Sequence, residues 1–488
     1  MPHAYVRQIY CFPTTNSQAV SALSRGLSGL AQDVPYILSQ VVSDKSGTGS
    51  GVVISTPCHN VEDIFSSHDL SASINYATLK AGCFAPGAFQ THEMVPPGSL
   101  PPYPVSPAVF LARASLVNGG LILCVAVHHI VTDITGYDAI LKIWAAHCRD
   151  GSSRNIRFDP SWMNRDPLFS ELESSPDLAS MPDLLHTITP EEPVRAAGRS
   201  QAVGTGRKYY QTAIFYFPQQ HLRVLKDDVN EYIASQEPES WVSTSNILAS
   251  LLWSAIIEAQ DHSYLDTNKV VTAEDTRIST LSFPVQFRPV LRPPLPQDFL
   301  GAAFLMTNAR LPHKDVRLIS YNSKSTARGQ EPKPAPQVGA GADVPANSVD
   351  IPVLAEVALA IRRSIQRIDD AAVRGVLAYL EAHPGTNPEA PIILGPPRYD
   401  AGGSGTSVVS WANQCVYELN WGGAVGRCDA VRLPKMGNKR DPIVLPRMPS
   451  FDGHEGGLEV IMSYEVNVMK RLIEGPVMRR FAALRCLS

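Results

Sequence analysis

The chain runs to 488 residues, 44% of them hydrophobic and 18% charged, with a formal net charge of −4. That composition suits a globular protein with a sizeable core, and the length accommodates two domains. The small net charge, with no run of Lys or Arg, excludes a nucleic-acid or membrane surface held by electrostatics and points to small-molecule partners. The eight cysteines include no C-x-x-C pair, so no disulfide framework is expected. Cys58-His59 and His147-Cys148 look like zinc fragments, but nothing nearby completes four ligands, and no metal is expected. The N-terminal MPHAYVRQIYCFP has no basic region followed by a long apolar run, so no secretory signal is expected. No apolar stretch approaches the roughly 20 residues of a membrane span. The C-terminal RCLS puts its cysteine third from the end, which is no prenylation box. The reducing cytoplasm is the expected compartment.

Residues 17–38 carry apolar side chains at helical spacing and stop before Pro35. SGVVIS (50–55) reads as a strand. PAVFLARASLV (107–117) and LILCVAV (121–127) read as two strands joined at Asn118-Gly119-Gly120, a hairpin turn signal. DAILKIWAAHC (138–148) reads as a helix, with Ile140, Ile143 and Trp144 on one face. From about 152 to 207 polar residues and prolines dominate, and an interdomain crossover is expected. The second half restarts with a strand at 209–217 and a helix at 243–260, where Ser and Thr offer N-cap chemistry. A strand is expected at 280–287 and helices at 351–368 and 371–383. Beyond these, 408–423 reads as a strand into a turn, 456–465 as a strand, and VNVMKRLIEGPVMRRFAAL as one last helix. Residues 322–349, rich in Pro, Gly, Ala and Ser, read as a mobile loop.

The stretch CVAVHHIVTDITG (124–136) carries the chemistry. A strand ending in histidine places an imidazole at the rim of a sheet. That side chain can take and give a proton near neutrality. Because neighbouring strand residues point to opposite faces, one of His128 and His129 faces a given cleft and the other packs. Three readings compete: a general base, a pair of metal ligands at His129 and Asp133, or a structural histidine. A catalytic metal needs about three protein ligands, and no third stands nearby. Asp133 has two readings as well. It orients the imidazole as in a Ser-His-Asp triad, or it points away and binds an arginine that braces the loop. No G-x-S-x-G elbow occurs in the chain.

His129-Ile-Val-Thr-Asp133 resembles the H-x-x-x-D motif of the BAHD acyl-CoA-dependent acyltransferases, and Asp133 to Gly136 resembles its fungal, trichothecene-acetyltransferase-like branch. Other segments match in the same order. Ser243-Thr244-Ser245-Asn246 is similar to the family's S-T-N-D, and VQFRPVLRPPLP (285–296) to its V-D-G-R-x-R-x-x-P-P-L-P, with Arg288 on the first arginine. Ser410-Trp411 is similar to an S-W pair, Asn420-Trp421-Gly422-Gly423-Ala424 to D-F-G-W-G, GRCDAVRLP to G-K-P-x-x-V-R and GGLEV to the closing strand. Asn420 stands where the family has aspartate, Gln286 replaces an aspartate and Ala302 an asparagine.

The resemblance implies an α/β fold of two chloramphenicol-acetyltransferase-like domains with mixed sheets around a central solvent channel. It places domains at 1–180 and 208–488, with the crossover at 181–207. It also implies an acyl-CoA-dependent O-acyltransferase, an enzyme transferring groups other than amino-acyl groups and most simply acetyl, onto a hydroxyl of a fungal secondary metabolite. His129 would be the general base, Asp133 and Arg288 the support of its loop, and Asn420, Trp421 and Gly422 a channel or CoA-side motif. No bound cofactor is implied; acyl-CoA is a co-substrate and the protein a monomer. Two alternatives remain: a condensation-domain-like transferase, which shares the H-H-x-x-x-D pattern, and a non-catalytic binding protein on the same scaffold, which the altered NWGGA segment allows.

Overall fold

The computed structural model describes residues 4–43, 52–89, 92–150, 158–169, 184–187, 209–261, 277–318, 349–382, 392–394, 404–434, 440–450 and 455–488. The segment expected to be a mobile loop lies almost wholly outside them, as does most of the 181–207 crossover, of which the short strand Leu185–Thr187 is described.

The histidine strand Gly120–His128 is buried along its whole length. Leu121, Leu123 and Val125 face one core cluster and Ile122 and Cys124 another, so both faces are covered and the sequence reads as an unbroken apolar run. It forms a hairpin with Phe110–Val117, with Val117 opposite Gly120. Gly119 takes φ +83°, the left-handed conformation that a tight turn demands and glycine accepts. Tyr5–Phe12 flanks it on the other side, and the sheet runs Ala430–Arg432, Tyr5–Phe12, Gly120–His128, Phe110–Val117, Phe65–Asp69. Helices Ala19–Asp33 and Ile134–Asp150 bury their apolar stripes in the core beside this sheet.

The second half builds its own core from helices Gln219–Gln236, Thr244–Gln260 and Ile351–Gln366. Ser243 caps the middle helix as its sequence suggests: its Oγ accepts from Asn246 N, and Asn246 Oδ1 accepts from Ser243 N. A five-stranded sheet runs Val409–Ser410, Arg440–Val444, Gly457–Glu465, Tyr210–Pro218, Ala483–Leu487. A three-stranded sheet runs Phe304–Pro312, Ile278–Gln286, Ser404–Ser407.

Two expectations need correction. Only Val409–Ser410 of the segment 408–423 is strand; from Trp411 onward the chain makes turns whose side chains plug the first-half core. The expected last helix is two, Val466–Glu474 and Pro476–Phe481. Gly475-Pro476 breaks the ladder, and the chain then returns as the strand Ala483–Leu487.

The halves interlock. Val416, Trp421, Val425, Cys428 and Val431 belong to the first-half core, although they follow the second-half helices in sequence. Arg432, on the edge strand of the first sheet, meets Glu459 of the second at 2.6 Å, and both side chains are buried. The same guanidinium donates to the carbonyls of Cys83 and Phe84. Removing one member of such a pair leaves a charge buried and unpaired. Glu459→Gln is therefore expected to cost about 3–5 kcal/mol of stability, and the double variant Arg432→Met/Glu459→Leu distinctly less, read from urea midpoints by tryptophan fluorescence.

Candidate active site

His128 and His129 part company where the strand ends. His128 is buried and lies edge-on to Tyr5, the ring centroids 5.1 Å apart. His129 begins a turn anchored by its N–H to the Ala4 carbonyl at 2.8 Å and by Val131 N to the His128 carbonyl at 3.1 Å. Its partly buried ring lies against Phe304 of the second half, centroids 6.0 Å apart. The imidazole therefore sits at the seam between the two halves.

Burial lowers the His129 pKa below the ordinary histidine value; the carbonyls of His129 itself and Thr132 and the Asp133 charge oppose that shift without cancelling it. The ring is thus neutral near pH 7. Its Nδ1 is buried and makes no hydrogen bond of good geometry among the described residues.

Asp133 starts the helix Ile134–Asp150, and its Oδ1 accepts from Thr135 N at 3.0 Å and Gly136 N at 2.9 Å. Arg288 closes on the same carboxylate with both arms, Nη1 to Oδ2 at 2.7 Å and Nη2 to Oδ1 at 2.8 Å. Ala303 N donates to Oδ2 at 2.8 Å. Five donors occupy a carboxylate with about four lone-pair positions, and none of them is His129. Between the two readings of Asp133, the geometry selects the arginine brace.

Arg288 is itself buried, and its Nη2 also donates to the carbonyls of Phe299 at 2.9 Å and Gly301 at 2.8 Å. This fixes the 299–303 loop against the helix start. Gly136 is needed there: a Cβ would come within 2.6 Å of the Leu300 carbonyl oxygen. The replacement of asparagine by Ala302 does not disturb the clamp, because the bond to Asp133 comes from the next backbone N–H.

Asn420, Trp421 and Gly422 lie elsewhere. Asn420 is exposed and its Oδ1 accepts from Gly422 N at 3.0 Å, closing an Asx turn that needs no charge. Trp421 is buried between Phe12 and Trp144, with centroids at 5.9 and 5.3 Å. Gly422, at φ +84°, comes so close to Cys148 and Arg149 that a Cβ would sit 2.9 Å from the Arg149 Cα. The turn thus seals the C-terminal end of the helix that Asp133 begins, roughly 20 Å away along the helix at 1.5 Å per residue. The structure brings His129, Asp133 and Arg288 together and does not bring this motif to them. Phe304 and the Ala303 N–H are site members that the motif pattern did not name. Their signal was Gly301, where a Cβ would come within 2.6 Å of the Phe299 ring.

No group of three or more His, Cys, Asp or Glu among the described residues is placed to hold a metal ion. No helix among the described residues is long and apolar enough to cross a membrane.

Comparison with known proteins gives the same region a history. Residues 4–148 match the trichothecene 3-O-acetyltransferase-like N-terminal domain, and residues 98–325 match the Transferase family. The chain is 23% identical to the O-acetyltransferase ptmV of Penicillium ochrochloron, over 99% of this chain and 94% of that one. It is 28% identical to the trichothecene 3-O-acetyltransferase TRI101 of Fusarium sporotrichioides, over 49% of this chain and 52% of the relative. The crystal structure of F. graminearum TRI101 complexed with coenzyme A and T-2 mycotoxin superposes with a TM-score of 0.72 at 17% identity, covering 99% of this chain and 96% of that one. The fold is therefore that of the two-domain acyltransferases, as the sequence implied.

If Asp133 braces the loop and does not polarise the imidazole, its loss is first a loss of structure. Asp133→Asn leaves Arg288 buried and unpaired and is expected to cost about 3–5 kcal/mol in chemical denaturation, more than His129→Ala costs.

Proposed function

We propose that the chain is a member of the BAHD acyl-CoA-dependent acyltransferase family, in its fungal, trichothecene-acetyltransferase-like branch, and that it transfers an acyl group, acetyl first among them, from coenzyme A to a hydroxyl of a fungal secondary metabolite; the two family matches, the O-acetyltransferase relatives and the shared fold support this reading. The observation that carries the reading is one partly buried imidazole at the seam of the two halves, on a loop clamped by the Asp133–Arg288 pair.

In this reading one ring nitrogen of His129 accepts the proton of the acceptor hydroxyl, while the other keeps its hydrogen. The hydroxyl oxygen bonds to the thioester carbonyl carbon and a tetrahedral oxyanion forms. Its collapse breaks the carbon–sulfur bond. The departing CoA thiolate takes the proton from His129, which ends neutral, so the cycle needs no metal or redox partner. Arg288 and Asp133 act as positioning residues, holding the turn that presents the ring. The Asn420–Gly422 turn acts at a distance, by bracing the far end of the same helix. The domains at 1–180 and 208–488 supply His129 and Phe304 respectively, so one chain completes the site and a monomer suffices. An acyl-CoA donor and eight free thiols fit the reducing cytoplasm.

Mass spectrometry of the protein incubated with acetyl-CoA and a fungal metabolite extract should reveal an acceptor gaining one acyl group. His129→Ala is expected to lower turnover by roughly 10²–10⁴-fold, the usual contribution of a general base, while acetyl-CoA still binds in calorimetric titration. A variant that keeps full turnover would remove His129 from the role of base, and a parent protein that binds a metabolite but acylates none would instead be a binding protein on this scaffold.

The pH profile follows from the direction of the His129 shift. The base works unprotonated and burial lowers its pKa, so kcat/KM should be level at pH 7. It should then fall with decreasing pH through a midpoint below about 6.5, the unperturbed histidine value. A midpoint above that value would contradict the burial argument.

A further inference from the structure

Phe304 opens the strand Phe304–Pro312, whose register against Ile278–Gln286 pairs Phe304 with Gln286, Met306 with Pro284 and Asn308 with Ser282. Alternate side chains point to opposite faces. Leu281, Phe283 and Ala309 join the core of helices Thr244–Gln260 and Ile351–Gln366, and Leu305 joins the neighbouring cluster. Phe304, Met306, Asn308, Pro284 and Ser282 therefore occupy the other face, the one on which Phe304 meets His129. None of these five belongs to a hydrophobic core cluster among the described residues.

Two of them are polar and buried, Asn308 at 1% exposure and Ser282 at 3%, directly opposite each other across the strands. Among the described residues the Asn308 Oδ1 and Nδ2 and the Ser282 Oγ have no hydrogen-bond partner. Burying an amide and a hydroxyl without partners is costly, and an apolar pair would fill the same place without that cost. Polar groups that a fold closes over and leaves unpaired are ones a ligand can pair. Asn308 lies about 13 Å along the strand from Phe304 at 3.3 Å per residue. That suits a second anchoring point well away from the reacting atoms.

We propose that Asn308 and Ser282 form a polar subsite that grips an amide or hydroxyl–carbonyl group of a co-substrate whose reacting end lies at His129. The proposal rests on the acyl-transfer reading. The pair offers N–H and O–H donors together with carbonyl and hydroxyl acceptors, so it matches a group that both donates and accepts. Two sources carry that chemistry: the amides of the pantetheine arm of CoA, and an oxygen function remote from the acylated hydroxyl of the acceptor. Met306, half-buried and on the same face between Phe304 and Asn308, is the flexible side chain that yields to admit it.

The test uses Asn308→Leu and Ser282→Ala in the full chain. Thermal unfolding of the ligand-free variants, calorimetric titration with acetyl-CoA alone, and kcat and KM for the alcohol acylated in the extract assay are compared with the parent protein. Asn308→Leu is expected to unfold at the same or a higher temperature, because it removes unpaired polar atoms. It should weaken one affinity by about tenfold or more, as the loss of one or two hydrogen bonds from a buried subsite predicts, with Ser282→Ala weakening the same one less. Loss in the acetyl-CoA titration assigns the subsite to the pantetheine arm; a raised acceptor KM with kcat retained assigns it to the acceptor. Both affinities staying within about twofold of the parent overturns the proposal. So does a lowered unfolding temperature with unchanged affinities, which would give Asn308 to the fold. If Asn308→Leu does not fold, Ser282→Ala, which deletes one oxygen, decides on the same two affinities. A parent protein that neither binds acetyl-CoA nor acylates any metabolite overturns the acyl-transfer reading and the subsite with it; an active parent with indifferent variants overturns the subsite alone.

Discussion

The site hangs on one buried ion pair. Asp133 and Arg288 stand 155 positions apart in sequence and belong to different halves, yet they meet in a two-armed contact at 2.7 and 2.8 Å. Burying two such charges is expensive, and apolar residues of similar size would often serve stability as well. What apolar residues would not supply is direction. The carboxylate binds the helix start at Thr135 and Gly136, the guanidinium binds the 299–303 loop at two carbonyls, and Ala303 N–H closes the set. Each of these contacts has a required angle as well as a distance. Together they set how the histidine strand, the helix after it and the Phe304 strand lie against one another.

Other contacts make that arrangement hard to undo. The chain leaves the second half after Ser410, runs through the first-half core by way of Trp421 and Val425, and completes the first sheet at Ala430–Arg432. Gln8 and Gln414 pair across the same junction at 2.8 Å, and Cys415 N–H reaches Asp138 at 3.0 Å. Arg432 then ties the first sheet to Glu459 in the second. Because one strand of the first sheet comes from the second half, separating the halves would unzip backbone hydrogen bonds as well as side-chain contacts.

How much of this the sequence made legible varies with the kind of force involved. Local rules carried well. Asn118-Gly119 made its turn, Ser243 and Asn246 made their reciprocal cap, and the buried strands announced themselves as apolar runs. The order of motifs placed His129, Asp133 and Arg288, but whether the aspartate served the histidine or the arginine depended on a contact across the molecule. The strand Phe304–Pro312 was obscured by Thr307-Asn308-Ala309-Arg310, whose polar residues break the apolar pattern: Thr307 is buried with its hydroxyl donated to the Ser364 carbonyl, Asn308 is buried on the opposite face, and Arg310 is exposed. The helix Gln219–Gln236 does carry a helical stripe, Leu222, Leu225, Val229 and Ile233, yet its polar remainder disguises it. The NWGGA turn holds Trp421 against Trp144, a packing contact that resemblance alone does not reveal.

The division of labour between His129 and Asp133 has a chemical consequence. A carboxylate bonded to an imidazole stabilises the charged ring and raises its pKa, which suits a histidine that must hold a proton against a buried anion. Here the carboxylate's lone pairs are spent on backbone amides and a guanidinium, and its charge is already balanced by Arg288. Its pull on His129 is correspondingly weak, and burial sets the direction of the shift. The result is a histidine placed by backbone, with its basicity lowered by burial. An enzyme that takes a proton from an alcohol and hands it to a thiolate gains from such a ring, because a base already protonated at neutral pH takes no part in the first step. The arginine clamp therefore acts twice: it holds the loop in place, and it keeps the nearest carboxylate from charging the imidazole.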